Sequence, residues 1–346
     1  MKAVVYSEPG GPEVLRLVER PDPEPGAGEV RVRMRVSGVN PTDWKARRRG
    51  PGDFPEMVPN QDGAGVIDAV GDGVPEERVG ERVWVWEAAW QRADGTAQEL
   101  VVLPSRQAVA LPDGASFELG ACLGIPALTA HRCLTVSEAA PRPLEPGALA
   151  GTTVLVAGGA GAVGHAAIQL ARWAGARVIA TVSGDEKARL ARAAGADHVV
   201  NYRLEGAADG IRSHAPDGVD VVVEVAPAVN AALDAEVLAP SGTVAVYAVD
   251  GGSELPLSWP LMHRNVAYRF VLVYTVPRDA KDQAVADVSA AVADGALPVG
   301  EGAGLPLHRF PLERTADAHA AVEAGAVGKV LVDVLSAGRA SASSSA

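Results

Sequence analysis

Short segments in which apolar and polar residues alternate make up the first third of the chain. The segment VRVRMRVSGV at 30–39 alternates as expected for a strand with one buried face. Further short runs are separated by Gly, Pro and Asp turn signals, at 63–70, 81–86, 97–103 and 108–111. Many short strands at this spacing predict a barrel-like or sandwich unit.

From about residue 115 the pattern changes to apolar runs that alternate with helical segments. A helix is predicted over 117–135, with a kink or break at Pro126. Beyond it, helices are predicted at 163–174 and 185–194, and apolar strands at 153–157, 177–182, 198–201, 219–225 and 242–249. Continuous apolar strands joined by helices indicate a parallel sheet that is covered on both faces.

The last part of the chain is predicted to return to mixed structure. A strand is expected at 268–273, a helix at 279–293, and then strand, helix and strand up to about residue 335. The closing segment, 336–346, contains mainly small and polar residues and is predicted to be a disordered tail.

Composition and charge exclude several classes of protein. Hydrophobic residues make up 48% of the chain and charged residues 21%, which is a globular composition. The net charge of −12 makes nucleic acid and anionic membranes unfavourable partners. The two cysteines do not provide a disulfide framework, and no signal peptide or membrane span is recognised. We therefore expect a cytoplasmic protein, and the length of 346 residues favours two domains.

A glycine-rich turn carries the strongest chemical signal. Gly159, Gly161 and Gly164 form a GxGxxG motif directly after the strand predicted at 153–157 and at the start of the next helix. In this context the motif is typical of a dinucleotide site, because the glycines allow a pyrophosphate to approach the backbone and the helix N-terminus attracts it. The predicted cofactor-binding residues of the turn are Gly159, Ala160, Gly161, Ala162, Val163 and Gly164.

The end of the second strand of this sheet distinguishes between cofactors. NAD sites usually carry Asp or Glu there, which bonds the ribose hydroxyls. This chain has Ser183 at that place, and Lys187 follows in the next helix. A neutral hydroxyl with a nearby cation suits a 2′-phosphate, so NADPH is the predicted cofactor; a solvated Lys187 is the alternative. The missing acid also argues against S-adenosylmethionine.

Several motifs in the same order resemble a known family. They are GVNPTDWK at 38–45, GERVW at 80–84, LGIPALTA at 123–130, the glycine turn, GADHVVNY at 195–202 and the final GKVLVDV. Together they resemble the zinc-free medium-chain dehydrogenase/reductase superfamily, in particular zeta-crystallin-like NADPH:quinone oxidoreductases and enone reductases. The resemblance implies a Rossmann dinucleotide-binding domain (126–267) inserted into a GroES-like β-rich catalytic domain (1–125 and 268–335), with the active site in the cleft between them.

The resemblance also implies chemistry without a metal. Zinc-dependent relatives hold their catalytic metal with Cys, His and Cys, and the matching positions here are Asn40, Gln61 and Ile125. None of these side chains supplies a thiolate or an imidazole, the ligands that zinc prefers. The expected reaction is therefore hydride transfer from NADPH to a quinone or an α,β-unsaturated carbonyl, because both are already electrophilic.

The family resemblance assigns further site residues. Asn40 is expected near the nicotinamide and the substrate carbonyl, and Thr129 near the nicotinamide. Lys45 stands where quinone reductases often have tyrosine, and it either donates a hydrogen bond to an enolate oxygen or lies in solvent. Tyr202 matches a tyrosine near the 2′-phosphate. Lys329 lies near the position of a phosphate-binding arginine that this chain lacks.

Alternative functions remain open at the level of sequence. A biosynthetic reductase specialised for one polyketide-like intermediate has the same motifs and differs only in its pocket. A non-catalytic NADPH-binding protein binds the cofactor without turnover. In each case the partner is a small molecule, and pairing through the strand at 268–273 predicts a homodimer.

Overall fold

The structure is a computed structural model that describes residues 1–252, 254–255 and 259–335; the predicted disordered tail, 336–346, lies outside them. The chain forms two compact units. Unit 1 comprises Met1–Ile125 together with the chain from Leu307 onward, and unit 2 comprises Pro126–Pro306. The first boundary lies where the sequence places it, but the second lies at 306/307 instead of 267/268. The physical reason is that the strand and helix that follow residue 267 pack within unit 2.

The strands follow the predicted apolar runs closely. In chain order they are β1 (Lys2–Val5), β2 (Arg16–Glu19), β3 (Glu29–Val39), β4 (Asp62–Val70), β5 (Arg82–Val85), β6 (Leu100–Pro104), β7 (Ala108–Ala110), β8 (Thr153–Ala157), β9 (Arg177–Val182), β10 (His198–Asn201), β11 (Val219–Glu224), β12 (Leu238–Val246), β13 (Ala267–Phe270), β14 (Leu307–Pro311) and β15 (Lys329–Asp333).

The helices include several that the sequence pattern does not predict. In chain order they are α1 (Pro41–Arg49), α2 (Phe117–Gly120), α3 (Leu128–Leu134), α4 (Ala162–Trp173), α5 (Asp185–Ala193), α6 (Ala207–His214), α7 (Pro227–Val237), α8 (Trp259–His263), α9 (Arg278–Ala293) and α10 (Thr315–Glu323). A π-helical turn at Leu123–Ala127, which contains Pro126, separates α2 from α3. The predicted helix is therefore interrupted, but at residues 121–122, and Pro126 itself lies within the π-helical turn that leads directly into α3.

Unit 1 is built on a mainly antiparallel sheet. Among the described residues the sheet has the order β14-β15-β3-β4-β5-β7, and β6 pairs with β3. The long strand β3 shows the predicted alternation, because its residues are buried in turn and pack into an apolar core. β15 pairs with β3 from Val330↔Val39 to Asp333↔Val36, so the end of the chain completes this sheet.

Unit 2 is a parallel sheet with helices between its strands. The strand order in the described residues is β10-β9-β8-β11-β12-β13. All the pairings between these strands are parallel, and the residues of the four inner strands β8, β9, β11 and β12 are mostly buried, as expected for a sheet that is covered on both faces. The order changes direction at β8, and ligands bind such sheets at this switch point, beyond the carboxyl ends of the strands.

Candidate functional site

The glycine turn lies at the carboxyl end of the central strand of unit 2. β8 ends at Ala157, and Gly158 follows with a φ of 71°, a left-handed conformation that favours glycine. The backbone N–H groups of Gly158 and Gly159 both donate to the carbonyl oxygen of Thr181, at 3.1 and 3.2 Å. The turn is therefore fixed to the neighbouring strand β9 before α4 begins.

The glycines of the motif have different roles. A Cβ atom at Gly164 would lie 2.4 Å from the carbonyl oxygen of Gly158, and one at Gly159 would lie 2.8 Å from the Cβ of Ala180. These two glycines are required for packing of the turn itself. A Cβ at Gly161 would meet no atom closer than 3.5 Å, and Gly161 is exposed. The space in front of Gly161 is therefore open to a ligand.

The start of α4 supplies donors to that space. Gly161 is the N-cap residue, so the N–H groups of Ala162, Val163 and Gly164 in the first turn have no acceptor within the helix. They carry the positive end of the helix dipole, which attracts an anion. Ala160, also predicted to bind the cofactor, is buried. Backbone groups rather than side chains thus make this turn suitable for a pyrophosphate.

The predicted phosphate-recognition residues of unit 2 lie at the ends of neighbouring strands. β9 and β10 are parallel with Val182 opposite Asn201, so Ser183 and Tyr202 each follow directly after these paired residues. The N–H of Tyr202 donates to the carbonyl oxygen of Val182 at 3.1 Å, and its side chain is 40% exposed. Lys187 is half-buried in the first two turns of α5. The structure therefore brings Ser183 and Tyr202 to the edge that carries the glycine turn.

A buried acidic pair near this edge is absent from the sequence predictions. Glu224 ends β11, and it accepts hydrogen bonds from the N–H of Ala226 and from the side-chain amide of Asn230. Burial raises the pKa of Glu224. It also raises the pKa of the neighbouring Asp234, with Glu224 adding to the shift, to about 8. The sequence does carry a signal for this pair. Glu224 is an acid at the end of an apolar strand, and Asn230 and Asp234 follow four residues apart on the next helix.

In unit 1 the residues around Asn40 form a buried polar cluster. Asn40 caps α1: its backbone N–H donates to Asp43 Oδ2 at 2.7 Å, in a capping box, and Pro41 occupies the first turn. Burial and the nearby Asp62 raise the pKa of Asp43 to about 8, opposed by the bond from Asn40 and by Lys329. Asn40 is thus the N-cap residue of α1.

The side chain of Asn40 is held at both ends. Its Nδ2 donates to Asp62 Oδ2 at 2.6 Å, and its Oδ1 accepts from Lys329 Nζ at 2.6 Å. Lys329 Nζ also lies 3.3 Å from Asp62 Oδ2, and the three side chains are at most 2% exposed. An ammonium only donates and a carboxylate only accepts, so these partners determine which end of the amide is oxygen. We call Asn40, Asp62 and Lys329 the amide cluster.

This placement of Lys329 differs from the sequence prediction. The residue was expected beside the 2′-phosphate of the cofactor, but its ammonium has two acceptors within unit 1 and the side chain is 1% exposed. Burial raises the pKa of Asp62, while Lys329, Asn40 and the Ile125 N–H act in the opposite direction. A buried carboxylate needs such partners because its desolvation is costly. The geometry thus gives Lys329 the role of balancing the charge of Asp62.

The three positions that the family resemblance aligns with zinc ligands come together around Asp62. Asn40 bonds one carboxylate oxygen of Asp62, and the N–H of Ile125 donates to the other at 2.8 Å. Gln61 precedes Asp62, and its Oε1 accepts from the N–H of Ala89 at 3.1 Å. In the part of the chain that the structure describes, no group of three or more His, Cys, Asp and Glu side chains is arranged to hold a metal ion. Asn40, Gln61 and Ile125 each take part in a hydrogen bond at these positions.

A strained residue supports this corner of unit 1. Asn60 is buried with a φ of 78°, a conformation that is uncommon for residues other than glycine. Its side chain donates to Ser37 Oγ at 2.9 Å and lies 2.9 Å from His319 Nε2. These bonds hold the chain that leads into β4, and hence the position of Asp62.

The two other predicted catalytic residues have different surroundings. Lys45 is exposed on α1, and its Nζ lies 5.6 Å from the centroid of the Trp44 ring. Thr129 is buried in α3. Three tryptophans lie close together in the chain, of which Trp84 and Trp86 are buried in the core and Trp90 is half-buried. Unit 1 therefore contains Asn40, Lys45 and Lys329, and unit 2 contains Thr129 with the whole glycine turn.

Comparison with known proteins agrees with this division. Residues 26–113 match the alcohol dehydrogenase GroES-like domain, and residues 162–290 match the zinc-binding dehydrogenase family. Quinone oxidoreductases from Lama guanicoe and Homo sapiens are each 31% identical over 340 residues, which is 96% of this chain and 97% of theirs.

Solved structures show the same similarity. A mycobacterial protein, Rv1454c, solved in complex with NADPH, is 30% identical with a TM-score of 0.80, over 96% of this chain and all of that one. A structure described as an NAD-dependent alcohol dehydrogenase is 30% identical with a TM-score of 0.84, over 97% of this chain and all of that one. No helix among the described residues is both long and apolar enough to cross a membrane.

Proposed function

Since the chain belongs to the medium-chain dehydrogenase/reductase superfamily, among the zeta-crystallin-like quinone oxidoreductases, we propose that it is an NADPH-dependent reductase of quinones or α,β-unsaturated carbonyls that works without zinc. The observation that carries the proposal is the open space at Gly161, in front of the free N–H groups of α4. When bound, NADPH supplies a hydride to the acceptor.

The residues that would hold NADPH lie at the carboxyl ends of the strands in the unit 2 sheet. The N–H groups of Ala162 and Val163 would hold the pyrophosphate. Ser183, Lys187 and Tyr202 would hold the 2′-phosphate, because a neutral strand end with a cation nearby tolerates this charge where an acid would repel it. The similar mycobacterial structure contains NADPH, which supports this choice.

The residues proposed to act on the acceptor lie in unit 1 and in α3. Asn40 would donate a hydrogen bond to the acceptor oxygen, where negative charge develops as the acceptor is reduced, and donors at such oxygens lower the barrier. Lys45 is exposed and cationic, so it would stabilise the same charge, while Thr129 would position the nicotinamide. Asn40, Gln61 and Ile125 lack the thiolate and imidazole ligands that zinc requires, which supports a reaction without that metal.

Cofactor oxidation with a panel of acceptors tests this proposal. We expect the near-ultraviolet absorbance of NADPH to fall with 1,4-benzoquinone, 9,10-phenanthrenequinone or a simple enone, and NADH to react more slowly. The ranking of acceptors separates quinone from enone chemistry. Cofactor binding without turnover of any panel acceptor would favour a specialised biosynthetic reductase or a non-catalytic NADPH-binding protein. Failure to bind either cofactor would refute the proposal.

A single substitution tests the cofactor preference. Ser183→Asp places a carboxylate where the 2′-phosphate is proposed to lie, so we expect the KM for NADPH to rise at least about 10-fold and the preference to shift towards NADH. Ser213→Asp, which adds the same charge at an exposed position of α6, is the matched control. An unchanged ratio of the two cofactors in Ser183→Asp would show that the 2′-phosphate binds elsewhere.

We also propose that the protein forms a homodimer through the free edge of β13. In the described chain β13 pairs with β12 alone, and its residue Phe270 is 72% exposed. Trp259, Met262 and Leu272 nearby in the chain are also exposed. Sedimentation analysis should show a dimer that Phe270→Glu converts to a monomer, while Leu17→Glu, at an exposed apolar position of unit 1, leaves it intact. A monomeric wild-type protein contradicts this assembly.

A further inference from the structure

The amide cluster restricts what Asn40 can offer to a ligand. A side-chain amide has two N–H hydrogens and an oxygen that accepts. The oxygen is taken by Lys329 at 2.6 Å, and one hydrogen is taken by Asp62 at 2.6 Å. The second Nδ2 hydrogen is then the donor that remains, because no other partner of this nitrogen occurs among the described residues.

The cluster also opposes rotation of the amide. A flipped Asn40 would place its NH₂ group against the ammonium of Lys329 and its oxygen against the carboxylate of Asp62, so both contacts would become repulsive. Asp62 is itself held by the N–H of Ile125 at 2.8 Å, so the cluster cannot adapt by turning its carboxylate freely.

We propose that Lys329 and Asp62 are positioning residues that fix the amide of Asn40 so that its second Nδ2 hydrogen faces the acceptor oxygen. The inference rests on the proposed function, because it assumes that Asn40 donates to that oxygen. Lys329 would then help to orient the donor Asn40. The enzyme would favour acceptors that carry an oxygen able to accept a hydrogen bond. The ammonium and the carboxylate touch Asn40 and act through it.

A charge-conserving exchange tests whether Asn40 is the donor that the cluster is inferred to orient. In the double variant Asn40→Asp/Asp62→Asn the amide and the carboxylate change places. Residue 40 still accepts from Lys329 and still bonds residue 62, and the oxygen of the new amide can still accept from the Ile125 N–H. The longer contact of Lys329 Nζ with residue 62, at 3.3 Å, is the one that the exchange removes, because an amide nitrogen replaces that oxygen. The number of buried charges is unchanged, but residue 40 no longer has an N–H to donate. We expect kcat to fall by about 100-fold, as when one oxyanion donor is removed, with the KM for NADPH unchanged.

A second variant removes the two partners of the Asn40 side chain, Asp62 and Lys329, and leaves Asn40 in place. Asp62→Asn/Lys329→Met eliminates both buried charges together, and such paired replacement is usually tolerated by the fold. We expect a fall in kcat of at least about 10-fold with an unchanged KM for NADPH, because small errors in donor position lower the rate strongly. Lys281→Met, which removes another buried lysine, located in unit 2, is the matched control and should keep the kcat of the wild type.

Hydrogen exchange gives a readout that does not depend on turnover. In the ¹⁵N-labelled protein without cofactor, the side-chain amide of Asn40 should exchange slowly, and at least about 10-fold faster in Asp62→Asn/Lys329→Met, since its bond to a buried carboxylate is lost. An equal exchange rate in the two proteins overturns the positioning role.

The outcomes separate this inference from the proposed function. If Asn40→Ala leaves kcat unchanged, Asn40 is not the donor, and that step of the proposed function fails together with the inference. If Asn40→Ala and the exchange variant lower kcat but Asp62→Asn/Lys329→Met keeps the wild-type value, the proposed function stands and the inference is overturned. A loss in Asn40→Ala and in both double variants, with Lys281→Met active, supports it.

Discussion

Two alanine substitutions within the glycine turn should affect different properties. Gly164→Ala should lower the stability of the fold, and Gly161→Ala should lower the affinity for NADPH. At Gly164 the added Cβ would lie 2.4 Å from the carbonyl oxygen of Gly158 and 3.0 Å from its carbonyl carbon. This carbonyl cannot move easily, because Gly158 is bonded to Thr181 through its N–H and to Gly161 through its oxygen. At Gly161 the nearest atom would be 3.5 Å away, and the φ of −84° suits alanine.

The magnitudes follow from these contacts. Overpacking of this kind costs about 1–3 kcal/mol, and the reduced freedom of the unfolded chain returns about 0.4–1 kcal/mol for Gly→Ala. Gly164→Ala should therefore lower the free energy of unfolding by about 1–2 kcal/mol. Gly161→Ala should change it by less than about 0.5 kcal/mol, because a mildly weaker N-cap offsets the entropic gain. Its effect should appear in the Kd for NADPH, which we expect to rise at least about 10-fold, or about 1.4 kcal/mol.

Urea unfolding followed by circular dichroism measures the first quantity, and titration of each folded variant with NADPH measures the second. Each variant serves as the control for the other, since both add one methyl group to the same turn. Equal stability of the two variants would contradict the packing argument. A wild-type Kd for NADPH in Gly161→Ala would show that the open space at Gly161 does not receive the pyrophosphate.

Two further predictions concern buried charges. Lys329→Met should lower the free energy of unfolding by about 3–5 kcal/mol because it removes the ammonium that balances the buried Asp62 carboxylate. Asp62→Asn in the same chain should restore most of this loss, and unfolding curves of the wild type, the single variant and the double variant check it. Asp234 has a folded pKa of about 8, above that of the unfolded chain, so its contribution to stability is lost as the pH rises from about 4 to about 8. Asp234→Asn should therefore flatten the fall in the urea midpoint between pH 5 and pH 8, which sets of unfolding curves at each pH measure. An equally steep fall in this variant assigns the pH dependence to other groups.

The local sequence pattern alone was sufficient to predict most strands and the glycine turn. β8, β9 and β10 have the predicted bounds, because runs such as TVLVA are apolar throughout and bounded by turn residues. Two crossover helices were not predicted. α6 is only eight residues long and contains Gly210, and α7 begins at Pro227 and contains Asn and Asp, so the helix propensity of both segments is low.

The candidate site was predictable to a smaller extent. Asn40 and the glycine turn are recognisable because their motifs are local. The partners of Asn40 are not, since Asp62 and Lys329 are brought to it by strand pairing of β3 with β4 and with β15. A lysine in a terminal strand looks like any surface lysine until the register of that strand places its ammonium in the core.

The return of the chain to unit 1 also has a consequence for biosynthesis. Lys329 follows Asn40 by 289 residues, and the whole of unit 2 is made between them. At about 5–20 residues per second, a ribosome needs about 15–60 s for that stretch. During this interval β3 has no β15 beside it, and the Asp62 carboxylate has no ammonium. A nascent chain therefore acquires its complete glycine turn well before its oriented Asn40, and the amide cluster forms only after Lys329 has been made.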